Sequence, residues 1–433
     1  MRSRIEALRG EMRVPLYRNA YTLMLNTALN SVLGLLYWIV AARTFPEDEV
    51  GRGNALLSAM MLVSVLTQLN FGSALIRFLP RAGAGSRRLV LTAYSVAAGL
   101  AALGATAVVA FWHLALEPGD PLHVSAWFGV WFVVSTVCWS IFNLQDSALT
   151  GLRSPDWIPV ENGLFGVVKL GLLVVLAGTA VGEAVFTSWT LPVLAFLVPV
   201  NLLIFLRVLP RHRADTAAQQ VLPTRRGLAR YMAGDYTGQV FAQLSSTFLP
   251  VLVVALLGPA QGAYLVPAQT ALIALNLLSV AITSSLVVEA ARDGSRAPQY
   301  AAAVLRRIGV TVVPAALLIA VAAPWLLELF GPTYRENATL LMQLLMLSTL
   351  PRVVVSLYAT MCRLRERTGR LALVQCAEAV LLVGGTVAFS GTLGLVAVGW
   401  SALAGQLVLA VVVAPRVIAW LAPARRRAGR SGT

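Results

Sequence analysis

Charge is scarce in this chain. Asp, Glu, Lys and Arg make up 12% of its 433 residues and hydrophobic residues 58%, against roughly 25% and 45–50% in ordinary soluble domains. A water-soluble core cannot absorb that much apolar surface. Lysine is nearly missing, for 33 of the 34 basic residues are arginine and the exception is Lys169. A phosphate-binding GxxxxGK loop needs a lysine followed by Ser or Thr, whereas Lys169 sits in GVVKLG, so the chain has no such ATPase site. The three histidines, His113, His123 and His212, lie in or near loops and never approach HExxH spacing. No zinc ligand set follows, and neither a metal nor a cofactor is expected. Three cysteines, Cys138, Cys362 and Cys376, fall in or at the ends of apolar segments. An odd number cannot pair fully within the chain, and buried free thiols are expected.

What the chain has in abundance is apolar runs of about 20 to 30 residues, and about 20 suffice for a helix to cross the hydrocarbon of a bilayer. The fold class expected is therefore all-α and polytopic. Segment ends read from charges, Gly and Pro give six spans at about Leu16–Ala42, Gly51–Leu79, Arg87–Trp112, His123–Leu149, Asp156–Val181 and Glu183–Arg207. Six more follow at about Gly227–Leu257, Gly262–Arg292, Gln299–Phe330, Arg335–Cys362, Gly369–Ser390 and Leu393–Leu421. The N-terminal MRSRIEALRGEMRVPLYR leads into an apolar stretch without a small-residue cleavage site, which reads as an uncleaved first span.

The net charge of +15 does not indicate nucleic acid, because the arginines are spread over short loops. They report topology instead. With the N-terminus inside, 29 basic residues fall on the inner side and three, Arg43, Arg52 and Arg335, on the outer, while Lys169 and Arg352 lie within spans. Loops left in the cytoplasm are the ones enriched in Lys and Arg, so both termini are expected there. Shifting the starts of the first six spans by 211 residues lands within about two residues of the second six. The expected domains are a basic segment 1–15, a six-helix bundle 16–207, a basic connector 208–226, a second bundle 227–421 and a basic tail 422–433. The stretch Arg207–Arg230, with six arginines, then joins two copies of one bundle and sits at an anionic leaflet. An even number of spans per copy makes the repeat parallel, an arrangement used by transporters that bind substrate between halves.

Ionisable groups inside spans normally face a partner or a water-filled cavity. Lys169 is the deepest, roughly 20 Å along span five. Arg352 follows Pro351 in span ten, and Asp235 and Glu378 lie about 10–14 Å along spans seven and eleven. Arg77 is near the inner end of span two, where snorkelling to the headgroups is the alternative to a functional role. For Lys169 and Arg352 the alternatives are a polar cavity or a buried ion pair, for instance with Glu378 or Asp235. Span seven carries Asp235, Gln239, Gln243 and Ser246 on one helical face, and span one carries Asn19, Thr22, Asn26 and Asn30. Such stripes either glue helices together or line a cavity. Gly163, Gly166 and Gly171 read as close-packing positions. The run Glu47, Asp48 and Glu49 in a short outer loop is the best enzymatic lead and otherwise a solvated loop.

Spread over nearly the whole chain, the segments FPEDEVGRGNALLSAM, SALIRFLPR, GDYTGQVF, LPVLVVALLGPAQGAYLVPAQ and SSLVVEAARD resemble the multidrug/oligosaccharidyl-lipid/polysaccharide exporter (MOP) superfamily. The likeness is to its bacterial polysaccharide or lipopolysaccharide flippases in particular. It implies a MATE-like fold of twelve transmembrane helices in two six-helix bundles, no enzymatic activity, and a place in the bacterial cytoplasmic (inner) membrane. It also implies translocation of a polyprenyl-diphosphate-linked oligosaccharide by alternating access. On that reading Lys169, Arg352 and Arg77 are the cations for a diphosphate, and Asn26, Asn30, Gln239 and Gln243 the groups for sugar hydroxyls. Asp235 or Glu378 would carry a coupling H+ or Na+. Membrane lipids, and a polysaccharide polymerase or glycosyltransferase, are the expected partners. The alternatives are a multidrug exporter of the same superfamily, a lipid II flippase, which would carry spans beyond twelve, and a polyprenyl-dependent glycosyltransferase, for which the outer loops are short.

Overall fold

The computed structural model describes residues 15–117, 119–120, 122–179, 183–216, 226–228, 232, 236, 240–241, 243–292, 297–365 and 367–428. Every regular segment among the described residues is helical. Hydrocarbon offers a backbone amide no partner, so a spanning segment closes its hydrogen bonds within itself. Ten helices among the described residues are long and apolar enough to cross a membrane. Two shorter apolar helical stretches, Leu29–Thr44 and Ser246–Leu257, fall where spans one and seven are expected.

In chain order the helices are α1 (Pro15–Thr44), α2 (Glu47–Thr67), α3 (Phe71–Phe78), α4 (Ser86–Ala115), α5 (Ala126–Gly151), α6 (Ile158–Leu176), α7 (Ala184–Leu203) and α8 (Leu209–Asp215). A π-helical turn, Ile204–Val208, links the last two. After a second π-helical turn, Leu244–Phe248, come α9 (Leu249–Leu257), α10 (Pro259–Arg292), α11 (Ala297–Glu328), α12 (Pro332–Leu364), α13 (Thr368–Leu393) and α14 (Val396–Ala428). Helices open at Glu47, Ser86, Ala126, Ile158 and Ala184 in the first half and at Pro259, Ala297, Pro332, Thr368 and Val396 in the second, offsets of 206 to 212 residues. The spacing expected from the sequence therefore recurs in the helix starts.

Span two departs from expectation. Its helix begins at Glu47, not Gly51, so Glu47, Asp48 and Glu49 form a first helical turn rather than a loop. Carboxylates there meet the positive end of the helix dipole. The helix stops at Thr67, and Leu69 (φ 47°) and Asn70 (φ 63°) turn the chain into α3 through the left-handed region. Gln68 steadies that break by donating to the Ser140 carbonyl at 3.3 Å. The continuous span Gly51–Leu79 is thus a helix, a turn and a helix. Nothing in its apolarity marks the break, since neither Gly nor Pro stands at the turn.

By contacts the chain divides into two compact units, Met1–Phe45 with Leu56–Tyr236, and Pro46–Ala55 with Thr237–Thr433. In the first, α1 packs along α6, α4 along α5 and α3 against α5. Its core includes Leu75, Leu79, Ala97, Leu144 and Ile204. Gly163 and Gly166 bring α1 close to α6, for a Cβ on either would stand 2.7 Å and 2.6 Å from the side chains of Leu29 and Leu33. Gly171 has no such neighbour. In the second unit α12 packs against α11 and α14, around Ile308, Val312, Leu357, Met361 and Val413. Gly51 belongs here because its backbone lies against Pro259 and Ala263 at the start of α10, where a Cβ would overlap the Pro259 carbonyl.

Backbone cannot swing aside as a side-chain tip can. Gly51→Ala is therefore expected to cost about 1–3 kcal/mol, read as a lower Tm of the detergent-purified protein, whereas Gly171→Ala leaves Tm unchanged.

Candidate functional site

The second unit encloses a cavity of about 710 Å³ lined from α10, α12, α13 and α14. Its charged centre forms where three helices meet. Arg352 follows Pro351 inside α12, Glu378 lies about three turns along α13, and Gln406 is on α14. Arg352 Nη2 stands 3.6 Å from Glu378 Oε1, and Gln406 Nε2 donates to the same oxygen at 2.7 Å. The Arg352 side chain keeps 38% of its surface exposed and Glu378 19%. At that distance the arginine is attracted to the carboxylate without a hydrogen bond, which leaves its guanidinium donors for a ligand. Around the pair are the amides of Gln269, Asn276 and Gln375, the hydroxyls of Ser348, Thr349 and Ser356, and a second arginine, Arg363. Gln375 Oε1, Gln406 Oε1 and Ser401 Oγ are buried without a partner. Buried orphans of this kind call for water or a ligand.

The first unit handles its polar groups differently. Lys169 on α6 is 6% exposed, and its ammonium stands 3.3 Å from the ring centre of Trp189, 5.0 Å from Tyr37 and 5.3 Å from Phe165. An ammonium over aromatic faces is held by the ring quadrupoles, an attraction that strengthens when water is excluded. The cage is braced by Tyr37, whose hydroxyl donates to the Val185 carbonyl and meets Ser188 Oγ, each at 2.8 Å. Nearby spans carry an acidic cluster. Asn162 Nδ2 donates to Asp146 Oδ2 at 3.2 Å, while Asp146 Oδ1, both Glu161 carboxylate oxygens and the Tyr94 hydroxyl are buried without partners.

Of the residues singled out by sequence, Arg352 and Glu378 are thus brought together in one cavity, and Ser246 lines it too. Lys169 lies in the other unit, inside its aromatic cage. Arg77 is exposed at the end of α3 with its guanidinium 5.7 Å from the Phe78 ring. Asn30 is exposed on α1, and Asn26 lies on the same helix with its side chain outside the described residues. Gln243 is half-buried, and its carbonyl accepts from Ser246 Oγ at 3.3 Å. Asp235 and Gln239 lie outside the described residues. Glu47 accepts a hydrogen bond from Tyr264 at 2.6 Å, which ties the start of α2 to α10. The three cysteines are unpaired, two of them buried.

Sequence reasoning missed Asp146, Glu161, Gln375 and Gln406. The first two stand within about a turn and a half of their span ends, where a carboxylate reads as interfacial. The signal available was the pairing of each with an amide neighbour, Gln145–Asp146 and Glu161–Asn162.

A lysine held by rings and not by a carboxylate is replaceable by an apolar chain of similar length. Lys169→Met is expected to keep stability within about 1 kcal/mol of the parent, whereas Trp189→Ala, which opens the cage, should cost about 3–5 kcal/mol. Thermal unfolding of the two purified variants checks both.

No protein-family profile matches the chain, and no curated protein does. Solved structures do. An inward-facing multidrug resistance MATE family transporter of the MOP superfamily aligns over 92% of this chain and 98% of its own, with a TM-score of 0.69 and 15% identity. A MOP superfamily transporter from Pyrococcus furiosus, whose binding pocket is described as reversed in polarity, aligns over 97% of this chain and 96% of its own, with a TM-score of 0.66 and 15% identity. An outward-facing multidrug resistance MATE family transporter aligns over 96% and 98%, with a TM-score of 0.58 and 15% identity. At that identity the likeness concerns architecture alone, and the chain has the all-helical, multi-pass fold of the MATE transporters of the MOP superfamily.

Proposed function

We propose that this protein moves a polyprenyl-diphosphate-linked oligosaccharide across the bacterial cytoplasmic membrane by alternating access, in the synthesis of a cell-surface polysaccharide. The observation that carries this reading is the second-unit cavity, where Arg352 and Arg363 stand among amides and hydroxyls and the carboxylate of Glu378 is already engaged by Gln406. A phosphate oxygen competes with Glu378 for Arg352, and arginine binds phosphate through two parallel N–H donors. When phosphate takes Arg352, Glu378 keeps its hydrogen bond from Gln406. The orphan acceptors of Gln375 and Gln406 suit sugar hydroxyl donors. The products pass to a polysaccharide polymerase or glycosyltransferase.

Coupling to H+ or Na+ falls to Asp146 and Glu161. Two carboxylates buried in one bundle, with three oxygens unpartnered and Asn162, the neighbour of Glu161, bonded to Asp146, are stabilised by taking up a cation. Of the sequence candidates for this role, Glu378 is engaged by Arg352 and Gln406, and Asp235 lies outside the described residues.

A second reading, export of cationic drugs, is favoured by the presence of Glu378 in the cavity and by the multidrug transporters among the similar folds. The two readings separate on one variant. Arg352→Gln removes the phosphate partner and frees Glu378, so lipid-linked glycan should accumulate on the cytoplasmic face, with apparent affinity weakened about tenfold or more. Under the drug reading the same change leaves glycan export intact and alters efflux of a cationic dye. Wild-type glycan export by Arg352→Gln, at normal abundance, would overturn the flippase assignment. In proteoliposomes, Asp146→Asn with Glu161→Gln should abolish stimulation of transport by an imposed H+ or Na+ gradient while substrate binding persists.

A further inference from the structure

A second cavity, of about 390 Å³, lies in the first unit where the turn after α5 meets α7 and α8. Three arginines line it. Arg207 and Arg211 are spaced i, i+4 on one helical face, with Asp215 one further turn along, and Arg153 approaches from the turn. Like charges at i, i+4 oppose helix formation, and among the described residues none of the three guanidinium groups pairs with a carboxylate. Two backbone irregularities bring them together. Arg153 adopts the left-handed conformation, φ 59°, which a residue with a Cβ takes up only where its surroundings enforce it. Arg207 sits in the π-helical turn Ile204–Val208, whose extra residue per turn re-aims the side chains that follow. The floor is tied to the end of α3 by His212, which is buried and whose Nε2–H donates to the Leu79 carbonyl at 3.0 Å. Trp157, 41% exposed, and Ser154 complete the rim. A half-exposed tryptophan beside arginines at the end of membrane helices is the composition of the headgroup layer.

We infer that this cavity binds a phosphate group at the arginine-rich face of the membrane. The group belongs either to an anionic phospholipid or to free inorganic phosphate. Basic pockets between membrane helices recognise lipid headgroups in this way, and arginine forks match phosphate oxygens two at a time. The site is distinct from the transport cavity, which lies wholly in the second unit.

The test uses the purified full chain in phosphatidylcholine nanodiscs and follows Tm. Two probes are compared, phosphatidylglycerol incorporated in the disc and inorganic phosphate in solution. Three proteins are compared as well: the parent, Arg153→Gln/Arg207→Gln/Arg211→Gln, and Arg87→Gln/Arg88→Gln/Arg213→Gln. The last removes the same charge from the neighbouring basic surface. The parent should be stabilised by at least one probe, and the cavity variant should lose that response, with half-saturation weakened about fivefold per arginine, while the neighbouring variant keeps it. A response to phosphatidylglycerol alone assigns the lipid, and a response to phosphate alone the free ion. If the cavity variant is unstable before any probe is added, the three single substitutions carry the test, each expected to show a partial loss. Equal losses in both triple variants, or no response of the parent to either probe, would overturn the site.

Discussion

Hydrocarbon supplies no hydrogen-bond partner, and this one constraint governs the molecule. It makes the described backbone helical and then sorts the side chains. Most hydroxyls close on their own helix. Thr136 donates to the Phe132 carbonyl at 2.7 Å, Thr360 to Ser356 at 2.9 Å and Thr386 to Leu382 at 2.7 Å. Such a bond satisfies the hydroxyl's one donor and lets the residue sit in an apolar helix. A few amides cross between helices, as Gln145 does to the Leu197 carbonyl at 3.0 Å and Gln343 to Ala320 at 3.2 Å, and these hold the bundles together. What remains among the described residues is a set of buried polar atoms with no closure, of which those of Gln375, Ser401 and Gln406 belong to the second-unit cavity and those of Tyr94, Asp146 and Glu161 to the acidic cluster of the first unit.

The buried charges follow the same logic and reach three different solutions. Lys169 is wrapped by aromatic faces, a dry arrangement that leaves no room for a ligand. Arg352 is set against Glu378 at a distance long enough to be exchanged for another anion, in a cavity large enough to admit one. Asp146 accepts one amide hydrogen bond, from Asn162, Glu161 accepts none, and both retain open oxygens. Only the last two arrangements can change state when something binds. Under the proposed function, that distinction separates a charge that supports the fold from one that meets a substrate or an ion.

Much of the architecture was legible from hydropathy and arginine placement, because burial in a bilayer acts on windows of about 20 residues and leaves a strong one-dimensional trace. The recurrence of helix starts at offsets of 206 to 212 residues is the clearest case. Shorter-range features left no such trace. The break at Leu69 and Asn70 uses neither Gly nor Pro, and the acids at Glu47 to Glu49 extend a helix that composition alone would start later. The site was half legible. Arg352 and Glu378 stood out by depth, whereas Gln375 and Gln406 are ordinary amides in apolar segments until α13 and α14 place them beside the pair.

By itself the sequence determined that this chain lives in a membrane, that its spans repeat, and which few charges lie deep enough to need an explanation. Those properties depend on composition along the chain. The tertiary structure alone decided which deep charge is caged, which is paired and which carboxylates are left open, because each outcome depends on side chains that meet from helices far apart in sequence. Lys169 meets Tyr37 and Trp189, and Glu378 meets Arg352 and Gln406. Solvation of a buried charge is set by the few ångströms around it, and no one-dimensional pattern records what those few ångströms contain.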